Sequence, residues 1–408
     1  MTRPSAILSL NDLEGAARRH LPRPIFGYVV NGAEDERSLR ANREAFDDYR
    51  LVPRVLIDIS HGSQATTVLG TRWASPFGIA PLGMAALSAY RGDVVLARAA
   101  AAAGVPMVIS GSSLIRLETI AEANPAAWFQ AYLPGDLAQI DALIARVAAA
   151  GFATLVITAD TPTTPNRENN LRAGFSAPLK PSLGLAWQGL THPSWLLGTF
   201  LRTLLGHGMP HFENNYATRG QPIVSRTVQR DFADRGHLDW SHFAHIRRTW
   251  RGSLVLKGLL HPDDAVRARD TGADALIVSN HGGRQLDGAV PALHMLARIV
   301  AACPEIPVMV DGGFRRGTDV LKALALGARL AFVGRPFIYA AAIGGVPMLA
   351  HAIDLLRSEV GRDMALLGVN AIDEISAARH LIRAAGVAAG QTTWPQAPGL
   401  AYFEIDSL

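Results

Sequence analysis

Ten residues, SNHGGRQLDG at 279–288, crowd a histidine, an arginine and an aspartate around two glycines. A histidine titrates close to neutral pH, so His281 can take up and release a proton under ordinary conditions. Arg284, three residues further on, carries a planar guanidinium fork that matches a pair of anionic oxygens. The glycines add almost no bulk, so backbone and ligand can approach closely. The stretch follows the apolar run ALIVS, which means that this chemistry is exposed at the end of a buried strand.

That arrangement recurs. Short apolar runs at 77–81, 106–110, 127–132, 153–160, 253–257, 274–279, 306–311 and 329–334 read as strands. Most are separated by helix-patterned stretches such as 92–104, 138–151, 262–272 and 317–327, several closed by glycine. Continuous apolar strands alternating with amphipathic helices predict a parallel sheet covered by helices. Eight such units point to a (β/α)8 TIM barrel, an α/β fold whose working residues lie at the C-terminal strand ends. Those ends carry Pro81 and Gly83, Ser110, Gln130 and Tyr132, Thr158 and Asp160, Lys257, Ser279 with His281 and Arg284, Asp311, and Gly334 with Arg335. A lysine, a histidine, an aspartate and several arginines converging on one mouth call for a charged ligand.

Two segments favour an anion. DGGFRRGTD (311–319) and VGRP (333–336) end strands seven and eight, the pair of loops that often holds phosphate in such barrels. Gly312, Gly313 and Gly334 let backbone N–H groups approach oxygens, and the helix starting near Gly317 adds a favourable dipole. Arg315 and Arg335 supply charge. No G-x-G-x-x-G follows the first strand and no P-loop occurs.

Composition narrows the classes. With 408 residues, 49% hydrophobic and 18% charged, the chain can bury a large core in one domain. The net charge is only +4, and no run of Lys or Arg resembles a nucleic-acid patch. The lone cysteine, Cys303, excludes an intrachain disulfide or cysteine metal site and reads as a buried helix residue. No signal peptide and no run of about 18 apolar residues is expected, which places the protein in the cytoplasm. The residues alone leave open a flavin-free isomerase or aldolase and a silent phosphate-binding barrel.

Taken together, the motifs resemble the FMN-dependent (S)-2-hydroxy-acid oxidases and dehydrogenases, in pattern most like the bacterial mandelate and lactate dehydrogenases. SNHGGRQLDG is similar to that family's active-site signature, DGGFRRGTDVLKALALGA and VGRP to its FMN-phosphate segments, and LVLKG to its flavin-contacting lysine. NGAEDE (31–36) after Tyr28, QAY and TADTP fall in the family's order, and the likeness runs from about residue 6 to 380. It implies FMN as cofactor, with Lys257 beside the flavin N1–O2 edge. Pro81, Leu82 and Gly83 would lie against the ring, and Ser110, Gln130, Thr158 and Ser279 would hydrogen-bond the ring or ribityl chain. Asp311, Gly312, Gly313, Arg315, Gly334 and Arg335 would hold the ribityl-phosphate end. Tyr28, Tyr132, Arg167 and Arg284 would line the substrate side, with His281 as base. Asp160 would stabilise the imidazolium, and both hydride transfer and carbanion formation use such a base.

One segment departs from the regular alternation. About ninety residues separate Asp160 from strand five, a loop insertion at about 165–250 in a single domain that opens with a helical segment at 1–60. Within it, Leu196, Leu197, Phe200, Leu201 and Leu204 have helical spacing beside Trp195. Residues 187–206 read either as a lid over the mouth or as a peripheral contact with the inner face of the membrane. The stretch HPSW…HGMP resembles the membrane-associated mandelate and lactate dehydrogenases. Gly83 also resembles those dehydrogenases, since soluble oxidases of the family commonly carry Ala there. Both features favour a quinone over O2 as electron acceptor. By family analogy the chain would form a homotetramer.

Overall fold

A computed structural model describes residues 3–176, 182–225 and 235–384. Eight strands form one parallel sheet: β1 (Phe77–Ile79), β2 (Val108–Ser110), β3 (Trp128–Ala131), β4 (Thr154–Thr158), β5 (Ser253–Leu259), β6 (Ala275–Val278), β7 (Val308–Asp311) and β8 (Leu330–Val333). Each pairs in parallel with the next from β2 to β8, and β8 returns to pair with β1. A parallel bridge between Ile79 and Met107 closes β1 onto β2, so the sheet is a barrel. Seven of the eight strands fall within the runs expected from the sequence, and β5 continues two residues past its expected end at Lys257.

Alternation along the strands explains why the mouth is polar. Val108, Trp128, Val156, Val255, Ile277, Met309 and Phe332 belong to one buried cluster that fills the barrel interior. Side chains two residues apart on a strand share a face. Two residues further along the same strands stand Ser110, Gln130, Thr158, Lys257, Ser279, Asp311 and Gly334. The apolar layer is therefore a floor, and the layer above it is the site. The antiparallel pair Thr66–Val68 and Thr71–Trp73 adds Val68 and Trp73 to the same cluster.

Outside the barrel a larger core joins strands to helices such as Gly92–Ala103, Leu137–Ala149, Pro262–Asp270, Ala292–Ala302 and Gly317–Ala325. Cys303 is buried immediately after Ala292–Ala302. The expectation that no segment is long and apolar enough to span a bilayer needs correction. Helix Arg335–Leu367 has 33 residues and passes on length and composition, its alanine-rich run interrupted by a kink at Gly345 (φ 61°) and by Pro347. Most of the apolar stretch of that helix is buried, and the helix packs on Gly92–Ala103 and Gly317–Ala325, so its apolarity belongs to the core of the barrel.

Three N-terminal helices, Asp12–His20, Arg23–Val30 and Arg37–Glu44, precede the barrel. The last two reach its mouth. Ala33 N–H donates to Gly283 O at 2.9 Å, and Ser38 donates to Leu286 O and Ala289 O. In the long excursion after β4, helix Trp240–Thr249 packs on Leu137–Ala149 in the outer layer. Helices Leu183–Leu190 and Pro193–Trp195 precede a wide π turn, Leu196–Leu201, which continues into helix Arg202–His207.

Candidate active site

The stretch between His281 and Gly283 is a left-handed turn, with φ of 58°, 64° and 73° at three consecutive residues. Glycine adopts that conformation freely, whereas His281 is held there at a cost typical of functional positions. Gly283 is also a matter of space. A Cβ there would lie 2.4 Å from Leu39 N, so only glycine lets the N-terminal helix close over the turn. His281 N–H donates to Ser279 Oγ at 2.9 Å, which orients the backbone at the strand end.

On the imidazole, Nδ1 faces Asp160 Oδ1 at 2.9 Å and Nε2 faces the Tyr132 hydroxyl at 3.4 Å. Burial pushes the His281 pKa below its ordinary value; Asp160 partly offsets this, while Lys257 and Arg167 reinforce it. Burial opposes the Asp160 charge, but His281 and Lys257 outweigh it and hold the carboxyl below the usual range. The pair therefore rests as neutral imidazole and carboxylate, the state of a base ready to accept a proton. Burial and the Asp160 charge raise the Tyr132 phenol above its normal value, so it stays protonated.

Lys257 is 3% exposed, donates to Ser279 Oγ at 2.7 Å and pairs with Asp311 Oδ2 at 2.9 Å. Burial disfavours its charge, but Asp311 and Asp160 more than compensate and raise its pKa. The strand interior thus contains a fixed cation.

The arginines form a second centre. Arg335 donates to Val29 O, Gly282 O and Asn31 O, and Arg284 donates to Asn31 O at 2.7 Å and to Val29 O. Val29 O and Asn31 O lie at or just beyond the C-terminal end of helix Arg23–Val30, where the dipole favours cations. Arg284 also lies over the Tyr28 ring, 5.1 Å from its centroid. Burial, with Arg284 and Arg315 nearby, pushes Arg335 down to about 9. Burial likewise lowers Arg315. Crowding three guanidiniums is unfavourable unless an anion joins them.

The helix start at Gly317, expected to add its dipole to anion binding, serves the protein instead. Gly317 N–H donates to Glu359 at 2.8 Å, and the N–H groups of Arg315 and Arg316 donate to Asp319. Those donors are used internally, which leaves the arginines and Gly312, Gly313 and Gly334 for a ligand.

A cleft of about 520 Å³ unites these parts. Tyr28, Pro81, Leu82, Gly83, Tyr132, Thr158, Arg167, Lys257, His281, Arg284, Asp311, Gly312, Gly313, Arg315, Gly334 and Arg335 all line it. Ser110, Gln130, Asp160 and Ser279 stand behind that lining: Ser110 Oγ donates to Gln130 Oε1 at 3.3 Å. The sequence reading passed over Ser112, Asn170, Phe175 and Gln285, which also line the cleft. Phe175 packs on Tyr28 with ring centroids 4.7 Å apart. No local spacing marks Phe175, because only the fold brings the excursion after β4 back over the mouth.

Residues 17–383 match the FMN-dependent dehydrogenase family. The chain belongs to this family. An L-lactate dehydrogenase from Caulobacter sp. is 39% identical over 378 residues, covering 90% of this chain and 97% of that protein. An L-lactate oxidase from Nostoc sp. is 38% identical over 381 residues, 92% of this chain and 98% of that one. The crystal structure of the monotopic membrane protein (S)-mandelate dehydrogenase superposes with a TM-score of 0.83 at 33% identity, covering 92% of this chain and 99% of that chain. As an FMN-dependent dehydrogenase the chain is an oxidoreductase with FMN as cofactor. The cleft fits that group on its own evidence. Gln130 Nε2 and Asp311 Oδ1 are buried with no hydrogen-bond partner among the described residues, a donor and an acceptor left for a polar ring and a hydroxylated chain. The neighbouring guanidiniums of Arg315 and Arg335 fit a phosphate.

Proposed function

We propose that this FMN-dependent dehydrogenase oxidises an (S)-2-hydroxy acid, lactate-like or mandelate-like, to the 2-oxo acid and delivers the electrons to a membrane quinone. The observation that carries the chemistry is the Tyr132–His281–Asp160 chain beside Arg284 and Arg167 in one cleft. The flavin, when bound, supplies the acceptor for the electron pair lost by the substrate carbon. Lys257, Gln130, Thr158, Ser110, Ser279 and the segment Pro81–Gly83 would hold its ring. Asp311, Gly312, Gly313, Arg315, Gly334 and Arg335 would hold its ribityl phosphate.

The protein residues manage the proton and the charge. Arg284 and Arg167, with the hydroxyls of Tyr28 and Tyr132, would grip the substrate carboxylate and fix the carbon that reacts. His281 Nε2 takes the substrate proton, and Asp160 on Nδ1 stabilises the imidazolium that results. Lys257 presents its buried charge where negative charge accumulates. Phe175, packed on Tyr28, helps exclude water from that side.

The membrane acceptor is argued from the excursion after β4. Trp195 is buried and donates from Nε1 to Leu87 O at 2.8 Å, anchoring the segment to the barrel. On the other side Leu183, Trp187, Leu190, Leu197 and Leu205 are 63–92% exposed. One side of these helices thus packs on the protein and the other offers leucines and a tryptophan to an apolar phase. This reading places the protein peripherally on the cytoplasmic face of a membrane. Gly83 supports a dehydrogenase for the reason given by family resemblance, and no bulk there crowds Tyr28.

The test is anaerobic mixing of the purified yellow protein with (S)-lactate and with (S)-mandelate. Bleaching by either, followed by slow recolouring in air and fast recolouring with a soluble quinone, is the expected result. Fast recolouring in air with hydrogen peroxide release would assign a soluble oxidase instead. A protein that stays oxidised with both acids would sink the substrate class.

A further inference from the structure

Gln285 has no role in the chemistry above, yet its amide is locked at both ends. Its Nε2 donates to the backbone oxygen of Asp160 at 2.8 Å. Its Oε1 accepts from Arg167 Nη2 at 2.8 Å, and Arg167 Nε donates to Arg284 O at 2.9 Å. One planar head group therefore joins three parts of the site: the end of β4, the loop that carries Arg167, and the turn after β6. Only an amide presents a donor and an acceptor side by side on one short side chain.

We propose that Gln285 is a positioning residue that sets where the Arg167 charge stands relative to the His281–Asp160 pair, and so sets both carboxylate binding and the basicity of His281. This rests on His281 acting as the base. The groups that face His281 are Asp160 from the end of β4, Tyr132 from the end of β3, Lys257 from β5 and Arg167 from the excursion, with Arg284 on its own turn. Asp160 favours the imidazolium, whereas Lys257 and Arg167 oppose it. Of these, Arg167 is held by contacts to a neighbouring loop, and Gln285 supplies one of them. Moving or neutralising that guanidinium shifts the balance at the imidazole and changes the clamp offered to a substrate carboxylate.

The test compares Gln285→Met and Gln285→Glu with wild type in the FMN-loaded enzyme. The readouts are kcat and KM across pH, and the Kd of phenylacetate, a carboxylate that cannot react. Gln285→Met removes both contacts, so phenylacetate Kd and KM should rise about ten-fold with a smaller fall in kcat. Gln285→Glu places a carboxylate against Arg167 and cancels part of its field. The His281 pKa then rises, and the acid limb of kcat/KM, where activity is lost as the base protonates, moves to higher pH. A double-mutant cycle of Gln285→Met with Arg167→Met should be strongly non-additive.

A uniform loss of kcat at every pH with unchanged phenylacetate affinity would overturn the proposal, as would additivity in the cycle. Failure of the underlying reading looks different: His281→Gln would keep the wild-type acid limb, which assigns that limb to another group.

Discussion

Asn42 and Asn280 lie 238 positions apart in sequence and exchange two hydrogen bonds, Asn42 Nδ2 to Asn280 Oδ1 at 2.7 Å and Asn280 Nδ2 to Asn42 Oδ1 at 2.9 Å. Both are buried. Asn280 Oδ1 also accepts from Gly283 N–H at 3.1 Å, so the pair fixes the turn that carries His281. The N-terminal helix is thereby a clamp on the loop that carries His281. Next to it, Arg43 donates to Gly313 O at 2.9 Å and pairs with Asp319, which ties the same helix to the loop after β7.

Asn42→Ala should therefore damage stability and activity together. It removes two of the hydrogen bonds of the buried Asn280 amide, at a cost of about 1–3 kcal/mol in unfolding free energy. Urea titration of the FMN-loaded protein measures that loss. Because the loosened turn carries the base, kcat should fall as well, even though Asn42 does not line the cleft. Unchanged kcat with reduced stability would separate the helix from catalysis.

The His281–Asp160 contact makes a pH prediction with a definite sign. His281 is held below its ordinary value of 6.5, so its imidazole is neutral across the neutral range, as the proposed base must be. Activity should fall only as pH drops through that lowered pKa, giving kcat/KM an acid limb below about 6.5. Asp160→Asn removes a charge that favours the imidazolium. The limb should then move to still lower pH while the plateau rate falls about a hundred-fold, because the protonated base loses its stabilising partner. A limb that moved upward would assign the Asp160 carboxylate another part in the reaction.

Crowding of Arg284, Arg315 and Arg335 predicts how the protein responds to losing FMN. Burial and the neighbouring guanidiniums push Arg335 down to about 9, and a phosphate bound by Arg315 and Arg335 relieves that repulsion. Ligand present at a hundred times its Kd adds about 2.7 kcal/mol to folding. Removing FMN should lower Tm by a few degrees, and inorganic phosphate should restore part of it better than chloride at equal ionic strength. Arg335→Met should abolish the phosphate effect and weaken FMN binding. Differential scanning calorimetry at pH 7 reads both.

How much of this was legible in the sequence follows from where each residue stands. The strand-end residues were visible because each follows an apolar run, and alternation by two places them inward at the mouth. His281, Lys257 and Arg335 are examples. Asn42 carried no such mark, since its polar amide on a short charged helix gains meaning only from Asn280. Phe175 and Gln285 also escaped notice; their value comes from contacts across loops rather than from spacing. At the Gly317 helix start the sequence does not show that Glu359 arrives from another helix to take the Gly317 N–H. Helix Arg335–Leu367 was overlooked as an apolar run because residues such as His351 and Asp354 break its pattern, yet the fold buries most of its apolar stretch.

The apolar side of the excursion gives the last prediction. Leu196 and Phe200 are half-buried against the core, and Trp195 stacks on Phe200 at 5.6 Å, so this side holds the segment in place. Arg202 lies over the Tyr90 ring at 4.0 Å, and Tyr90 contacts His207 at 2.9 Å, a second attachment to the barrel. Trp187 and Leu197 take no part in this anchoring, being 65% and 63% exposed. Replacing both with Asp should leave fold and dye-coupled turnover intact. It should sharply reduce co-sedimentation with vesicles containing anionic phospholipid, because charged residues resist entering the acyl boundary. If the double variant and wild type both stay in the supernatant, the helices are a lid and the membrane contact is wrong. If wild type sediments and the variant does not, quinone reduction in the same vesicles should fall in parallel.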